Sequence, residues 1–408
     1  MSRSTITFFG NFGTQNLGNE YTLQSILENL RERFPDARFN CVCPDPEDAS
    51  ARYRIPAVLM SYRYSRSFRS VGRSGGRVVR FLRRLLVRVP LELVEWWKAF
   101  RALEGTRMLV MTGTGMLGDF GIGPFDLHYE ILKWSIIAKL RGAKLLFVSV
   151  GAGPIADPLS RWIVKRAVSL ADYRSYRDEF SKEYLARIGF DSRRDFVYPD
   201  LAFSLDPGTR PAGERNGNAR IAGVGLMDYY GTRASSERGE AVYRRYVEKI
   251  TEFVEWLLEH DYTVRLLIGD LAYDTRARGD VMRMLHERNP VRRNGKIVDV
   301  PISSVEDLVG QLAQTDVVVA TRFHNVLLAL MLDKPVLALS YHEKIASLMS
   351  GVGLGAYCHD VDRLEVGKLV EQFAELERNA AAARSVIGRK REEYRRALDE
   401  QYAVIGAL

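Results

Sequence analysis

The stretch DVVVATRFHNVLLALMLDKPVLALSYHEK, Asp316 to Lys344, decides the fold. DVVVA is an apolar, β-branched run and predicts a buried strand. NVLLALML predicts a short apolar helix, and PVLALS a second buried strand opened by Pro335. Arg322 and His324 therefore stand where a strand hands over to a helix. That is where open α/β sheets bind ligands.

The same alternation runs outward in both directions. TITFFG, RFNCVC, RMLVMTG and KLLFVSVGAG predict four strands, with helices over EYTLQSILENLRERF and LHYEILKWSIIAKLRG, the latter stopping at Gly142. Asp206 to Ala219 is polar and rich in Pro and Gly, and breaks the rhythm as a linker would. Beyond it RIAGVGLM, TVRLLIGD and KIVDVPI restart the alternation, and a long charged helix is expected from about Val370 to Tyr402. The pattern predicts an α/β protein of two Rossmann-like, doubly wound domains facing a cleft. The expected divisions are an N-terminal domain over 1–205 with a basic insert at 50–104, a linker over 206–218, a C-terminal domain over 219–363 and helices over 364–408.

The 408 residues are 46% hydrophobic and 27% charged, ordinary for a globular protein, and the formal net charge of +8 favours anionic partners. Cys41, Cys43 and Cys358 make no metal spacing and no disulfide framework, which fits a reducing, cytoplasmic compartment. The N-terminal apolar run ITFF is too short for a signal peptide. No run approaches the roughly 18 apolar residues of a membrane span.

Four loops carry candidate contacts. GNFGTQNLGNE, Gly10 to Glu20, suits close approach to an anion, with Asn16 and Asn19 as contact residues. It reads equally as a Gly-rich turn closed by Asn19 as a helix cap. Its spacing is not the dinucleotide fingerprint, and no acidic residue ends the second strand, which reads CVCP. GTGMLGDFGIGP, Gly113 to Pro124, offers Gly115 and Asp119, where a lone Asp also serves as a loop hydrogen-bonder. In YRSYRDEFSKEYL, Arg177 opens a helix against the dipole, which either an anion or a salt bridge to Asp178 or Asp172 explains. In the opening stretch, Arg322 offers a planar fork for a carboxylate or phosphate and His324 a proton donor or acceptor near neutrality, with Lys344 as a second cation. A His that merely caps the following helix is the alternative. No metal-ligand set, G-x-S-x-G or Walker pattern occurs.

A further segment differs in kind. From Ala49 to Leu91 there are eleven arginines and no Asp or Glu. Within it RVVRFLRRLLVRV gathers Arg77, Arg80, Arg84 and Arg88 off an apolar helical face, and Trp96 and Trp97 follow. Such a segment suits an anionic membrane surface, or a surface helix packed on its domain. Nucleic acid is disfavoured, since no stacking platform accompanies it.

Taken together, GNFGTQNLGNE, GTGMLGD, SVGAGP, YRSYRDEFSKEYLARIG, YPDLAFSL and TRFHNVLLALMLDKPVLALSYHEK resemble the polysaccharide pyruvyl transferase family over most of the chain. The resemblance implies a fold like that of GT-B glycosyltransferases. It also implies transfer of pyruvate from phosphoenolpyruvate to a sugar of a cell-surface polysaccharide or its undecaprenyl-linked precursor, as a ketal or, in some relatives, an enolpyruvyl ether. By this analogy His324 is the general acid, and Arg322 and Arg177 hold the donor. Lys344 is added on charge and position. The N-terminal domain, with Asn16, Asn19, Gly115 and Asp119, is expected to take the acceptor. Phosphoenolpyruvate is the expected co-substrate, with no cofactor or metal. The expected location is cytoplasmic, peripheral on the inner face of the cell membrane. The runner-up is a GT-B-type nucleotide-sugar glycosyltransferase, and a membrane-associated scaffold is the non-enzymatic reading.

Overall fold

The structure is a computed structural model and describes residues 4–62, 89–118, 122–205, 220–231, 236–288 and 296–408. The basic segment carrying Arg77, Arg80, Arg84 and Arg88, the expected linker and Asp119 lie outside the described residues. The chain divides into two compact units, one of residues 1–14, 22–201 and 404–408, the other of residues 15–21 and 202–403.

In the first unit the strands are β1 (Thr5–Phe9), β2 (Arg38–Cys43), β3 (Ala57–Leu59), β4 (Thr106–Thr112), β5 (Lys144–Val150), β6 (Tyr173–Tyr176) and β7 (Phe196–Val197). They form one parallel sheet in the order β3-β2-β1-β4-β5-β6-β7. In the second unit β8 (Arg220–Leu226), β9 (Tyr262–Ile268), β10 (Ile297–Val298), β11 (Val317–Ala320), β12 (Val336–Ser340) and β13 (Cys358–Asp360) form another, in the order β10-β9-β8-β11-β12-β13. All its pairings are parallel as well. Each order reverses direction beside its first strand, between β1 and β4 and between β8 and β11, and such a reversal opens a crevice at the strand ends. Both sheets are flanked by helices, as the alternation predicts.

Helix Phe323–Met331 shows why the second sheet holds. All but one of its nine residues are buried, because a helix apolar all round finds no stable place at a surface. One expectation changes. The single C-terminal helix is two, Val366–Arg378 and Ala380–Gly406. The N–H of Asn379 closes on Glu375 and Glu377, and its carbonyl accepts from Ala383 to begin the second.

The first core contains a buried charge. On helix Leu127–Leu140, Lys133 Nζ lies 2.6 Å from Glu130 Oε2, both side chains 1% exposed, and 3.7 Å from Glu92 of helix Val89–Ala102. Tyr129 donates to Glu92 Oε1 at 2.7 Å and accepts from Trp96 Nε1 at 2.9 Å. Trp96 is thereby fixed on the domain, whereas Trp97 is exposed with the Arg101 guanidinium 5.6 Å from its ring. Among the described residues no helix is long and apolar enough to cross a membrane.

Burial raises the Glu130 pKa, against the pull of Lys133. Lys133→Met should cost about 3–5 kcal/mol at neutral pH, the usual result of stranding one member of a buried pair. Because a raised carboxyl pKa means the folded state binds the extra proton, the deficit grows as pH rises above the ordinary carboxylate range. Melting temperatures of wild type, Lys133→Met and the Glu130→Gln/Lys133→Met double variant between pH 4 and 8 check this. A deficit independent of pH would speak against it.

Candidate functional site

The strand ends of the second unit gather most of the chemistry. β11 is fully buried, and the chain leaves it through Thr321, whose hydroxyl meets Tyr246 Oη at 2.8 Å. Arg322 then occupies the N-cap position of helix Phe323–Met331 in extended conformation, without capping it. Its fork turns to Asp274, with Nε 3.1 and 2.9 Å from the two carboxylate oxygens and Nη2 completing the clasp. Burial works against the charge of Arg322, but Asp274 outweighs it and the pKa is raised.

Asp274 does more than pair. Fully buried, it accepts the backbone N–H of Asp228 at 3.1 Å, of Gly269 at 3.3 Å and of Asp270 at 2.9 Å. One carboxylate thus joins the loops that follow β8, β9 and β11. Asp270 and Asp228 flank it, and both have pKa values raised first by burial and further by Asp274.

The segment Gln15–Tyr21 belongs to this unit. Leu17 N–H donates to Gly269 O at 3.2 Å and Leu271 N–H to Gln15 O at 3.1 Å, while Asn16 Nδ2 reaches Asp270 Oδ2 at 3.0 Å. Helix Leu17–Arg33 starts earlier than the sequence pattern suggests, so its cap is Asn16, whose Oδ1 accepts from Asn19 N–H at 3.3 Å. Asn19 is inside the first turn. His324, half-buried, lies directly against Gly18: a Cβ there would fall 1.8 Å from Nδ1.

Lys344 stands in the first turn of helix Glu343–Gly351, capped by His342, whose Nδ1 accepts the Lys344 N–H at 3.2 Å. Its ammonium is 5.1 Å from the Tyr341 ring centroid and 5.7 Å from that of Phe323. Asn325 escaped the sequence reading. It is fully buried, and neither amide atom has a hydrogen-bond partner among the described residues. A Cβ at Gly269 would lie 2.6 Å from its Oδ1, so the amide and that glycine are fitted to each other.

The structure therefore brings Asn16, Asn19, Arg322, His324 and Lys344 into one unit. Arg177 and Gly115 belong to the other. Arg177 is buried, with Nη1 3.5 Å from Asp200 and Nε 3.6 Å from Asp178. Asp178 also caps helix Glu179–Arg187, while Asp172 pairs with Lys139 instead. Gly115 accepts the Gly118 N–H in the loop after β4. Among the described residues no group of His, Cys, Asp and Glu suits a metal ion.

Two parallel, doubly wound sheets flanked by helices make a GT-B-like architecture. Among solved structures, the chain matches UDP-GlcNAc 2-epimerase from Methanocaldococcus jannaschii with a TM-score of 0.58 and 13% identity, over 92% of each chain. It matches Anabaena HepE in complex with UDP and glucose with a TM-score of 0.55 and 14% identity, over 98% of this chain and 99% of that one. A glycosyltransferase from Rickettsia africae gives 0.53 and 13% identity over 99% of both. No curated protein sequence matches significantly. The polysaccharide pyruvyl transferase family model matches residues 16–343, and the chain belongs to that family.

The structural neighbours correct the donor expected from the resemblance. Those sharing this fold nearly end to end are named for UDP-sugar epimerisation, glycosyl transfer or UDP binding. Ketal-forming pyruvyl transfer, phosphoenolpyruvate as co-substrate and an undecaprenyl-linked acceptor are withdrawn accordingly. The side chains run the same way. The Arg322 fork is taken by Asp274, and Arg177 is held by Asp178 and Asp200, so both guanidinium groups expected on the donor are already paired.

Asp274→Asn should destabilise the protein by about 3–5 kcal/mol, because Arg322 is left buried without its counter-charge. Asp274→Leu/Arg322→Leu should cost less than Asp274→Leu and Arg322→Leu summed. Melting temperatures of the four forms in a double-mutant cycle give the coupling, and strict additivity would show that the pair does not organise the loops.

Proposed function

We propose that this chain is a GT-B-type glycosyltransferase that takes its sugar from a uridine diphosphate donor and passes it to a saccharide acceptor. The carrying observation is the edge after β11 and β12. There Lys344 rises from a helix N-terminus beside Tyr341 and Phe323. An ammonium at the positive end of a helix suits a diphosphate, and the aromatic faces suit a ring. The fold shared with UDP-bound proteins supports the same reading.

In the reaction, an acceptor hydroxyl oxygen bonds to the anomeric carbon as the carbon–oxygen bond to the diphosphate breaks. The electron pair leaves on the diphosphate, which Lys344 stabilises, and the hydroxyl proton passes to His324. Arg322 keeps the loops in place through Asp274 rather than touching the donor.

We place this activity in the cytoplasm, with peripheral attachment to the inner membrane face as part of the proposal. Exposed Leu93, Val94 and Trp97 on helix Val89–Ala102 support it. Co-sedimentation with anionic vesicles at physiological salt should fall several-fold in Leu93→Ser/Trp97→Ala. Equal sedimentation of the two forms would remove the attachment.

UDP at a hundred times its Kd should stabilise the protein by about 2.7 kcal/mol, read as a rise in melting temperature. Lys344→Ala should weaken that binding at least about tenfold, or ~1.4 kcal/mol. Stabilisation by phosphoenolpyruvate and not by UDP or UDP-sugars would overturn the reading.

A further inference from the structure

We infer that Gly18 is a positioning residue for His324: the imidazole rests on its bare Cα, and a residue with a Cβ at 18 moves the ring from the place where it takes the acceptor proton. This deepens the preceding reading by naming what holds its proton acceptor. It rests on that reading only for the reaction the held ring serves.

Backbone conformation does not call for a glycine here. Gly18 lies in the first turn of helix Leu17–Arg33, and its φ is not positive. Any L-residue adopts that conformation, and a glycine makes a helix less stable than an alanine does. The reason is steric. A Cβ at 18 would fall 1.8 Å from His324 Nδ1, 1.9 Å from Cγ and 2.2 Å from Cε1, inside the volume of the ring. A small tilt does not clear an overlap that takes in three ring atoms. Nor is the glycine free to draw back. Just before it, Leu17 N–H donates to Gly269 O at 3.2 Å, and Leu271 N–H donates to Gln15 O at 3.1 Å. The Phe323 ring stands edge-on to the imidazole, with centroids 5.1 Å apart.

The turn that carries the imidazole is seated in the same way. A Cβ at Gly269 would lie 2.6 Å from Asn325 Oδ1 and 3.3 Å from Arg322 Cβ, and one at Gly225 would lie 2.9 Å from Asn325 Nδ2. Three glycines from three separate segments therefore close on residues 322–325: one at the end of β8, one after β9 and one on the strap. Gly225 and Gly269 seat the start of the helix, and Gly18 seats the ring. A proton acceptor works only within hydrogen-bond reach of the proton it takes, so a ring pushed aside by a Cβ loses the transfer.

The test uses the full chain. Gly18→Ala should lower the melting temperature by at least about 3 °C, because the new Cβ and the ring compete for one volume. In the His324→Ala background the same change should leave it unchanged or up to about 2 °C higher. A Gly18→Ala chain that folds only in that background supports the inference as well. An equal loss in both backgrounds, or no folding in either, would overturn it. Orientation is read from the six histidines labelled with nitrogen-15, the His324 ring signals being assigned by their loss in His324→Gln. Those signals should move in Gly18→Ala and stay in place in Ser304→Ala, which removes the cap of helix Val305–Ala313 in the same unit. Signals that stay in place in a folded Gly18→Ala, or that move as far in Ser304→Ala, would count against Gly18. No nucleotide is needed, so failure here stays separate from failure to bind UDP.

Discussion

The clasp between Asp274 and Arg322 is the constraint on which the second unit's edge depends. Two charges withdrawn from water are stable together only if their remaining hydrogen-bonding capacity is also met. Asp274 meets it by gathering N–H groups from the loops after β8 and β9 in addition to the guanidinium from the loop after β11. Those strands lie side by side at the reversal of the sheet. A single carboxylate therefore fixes three neighbouring loops at the place where this sheet order opens a crevice. His324, two residues beyond Arg322, inherits its position from the clasp.

The clasp also sorts charge along the edge. Asp228, Asp270 and Asp274 crowd the β8 and β9 side, and burial with mutual repulsion raises the pKa values of the outer two against the pull of Arg276 and Arg322. On the β12 side the cation is Lys344, at a helix N-terminus beside the Tyr341 and Phe323 rings. The three carboxylates and Lys344 thus fall on opposite sides of β11. A reaction that moves a proton one way and releases a phosphate the other suits that division.

Much of the architecture was legible because it is periodic. DVVVA and PVLALS declare buried strands by composition alone, and the apolar helix between them has no other stable location. The placing of Arg322, His324 and Lys344 just beyond strands was legible too. Their partners were not. Asp274 lies 48 residues from Arg322, and Asp270 lies 254 residues from Asn16. No local pattern distinguishes those two aspartates from solvated loop carboxylates. The donor was misjudged for the same reason: a bidentate arginine looks like an anion site until the carboxylate that fills it is known.

The Gly- and Asn-rich turn at residues 10–20 carries this furthest. In sequence it has the make-up of a phosphate-binding loop. In the structure its donors go elsewhere: Leu17 N–H to Gly269, Asn19 and Glu20 N–H to Asn16, and the Asn16 amide to Asp270. The glycine at 18 makes room for an imidazole rather than for an anion. Small residues and side-chain amides serve any close approach of backbone to a polar group, so the same composition builds a phosphate cradle or a strap. What separates the two is whether the N–H groups end on protein acceptors. Here those named do, so the turn is a strap.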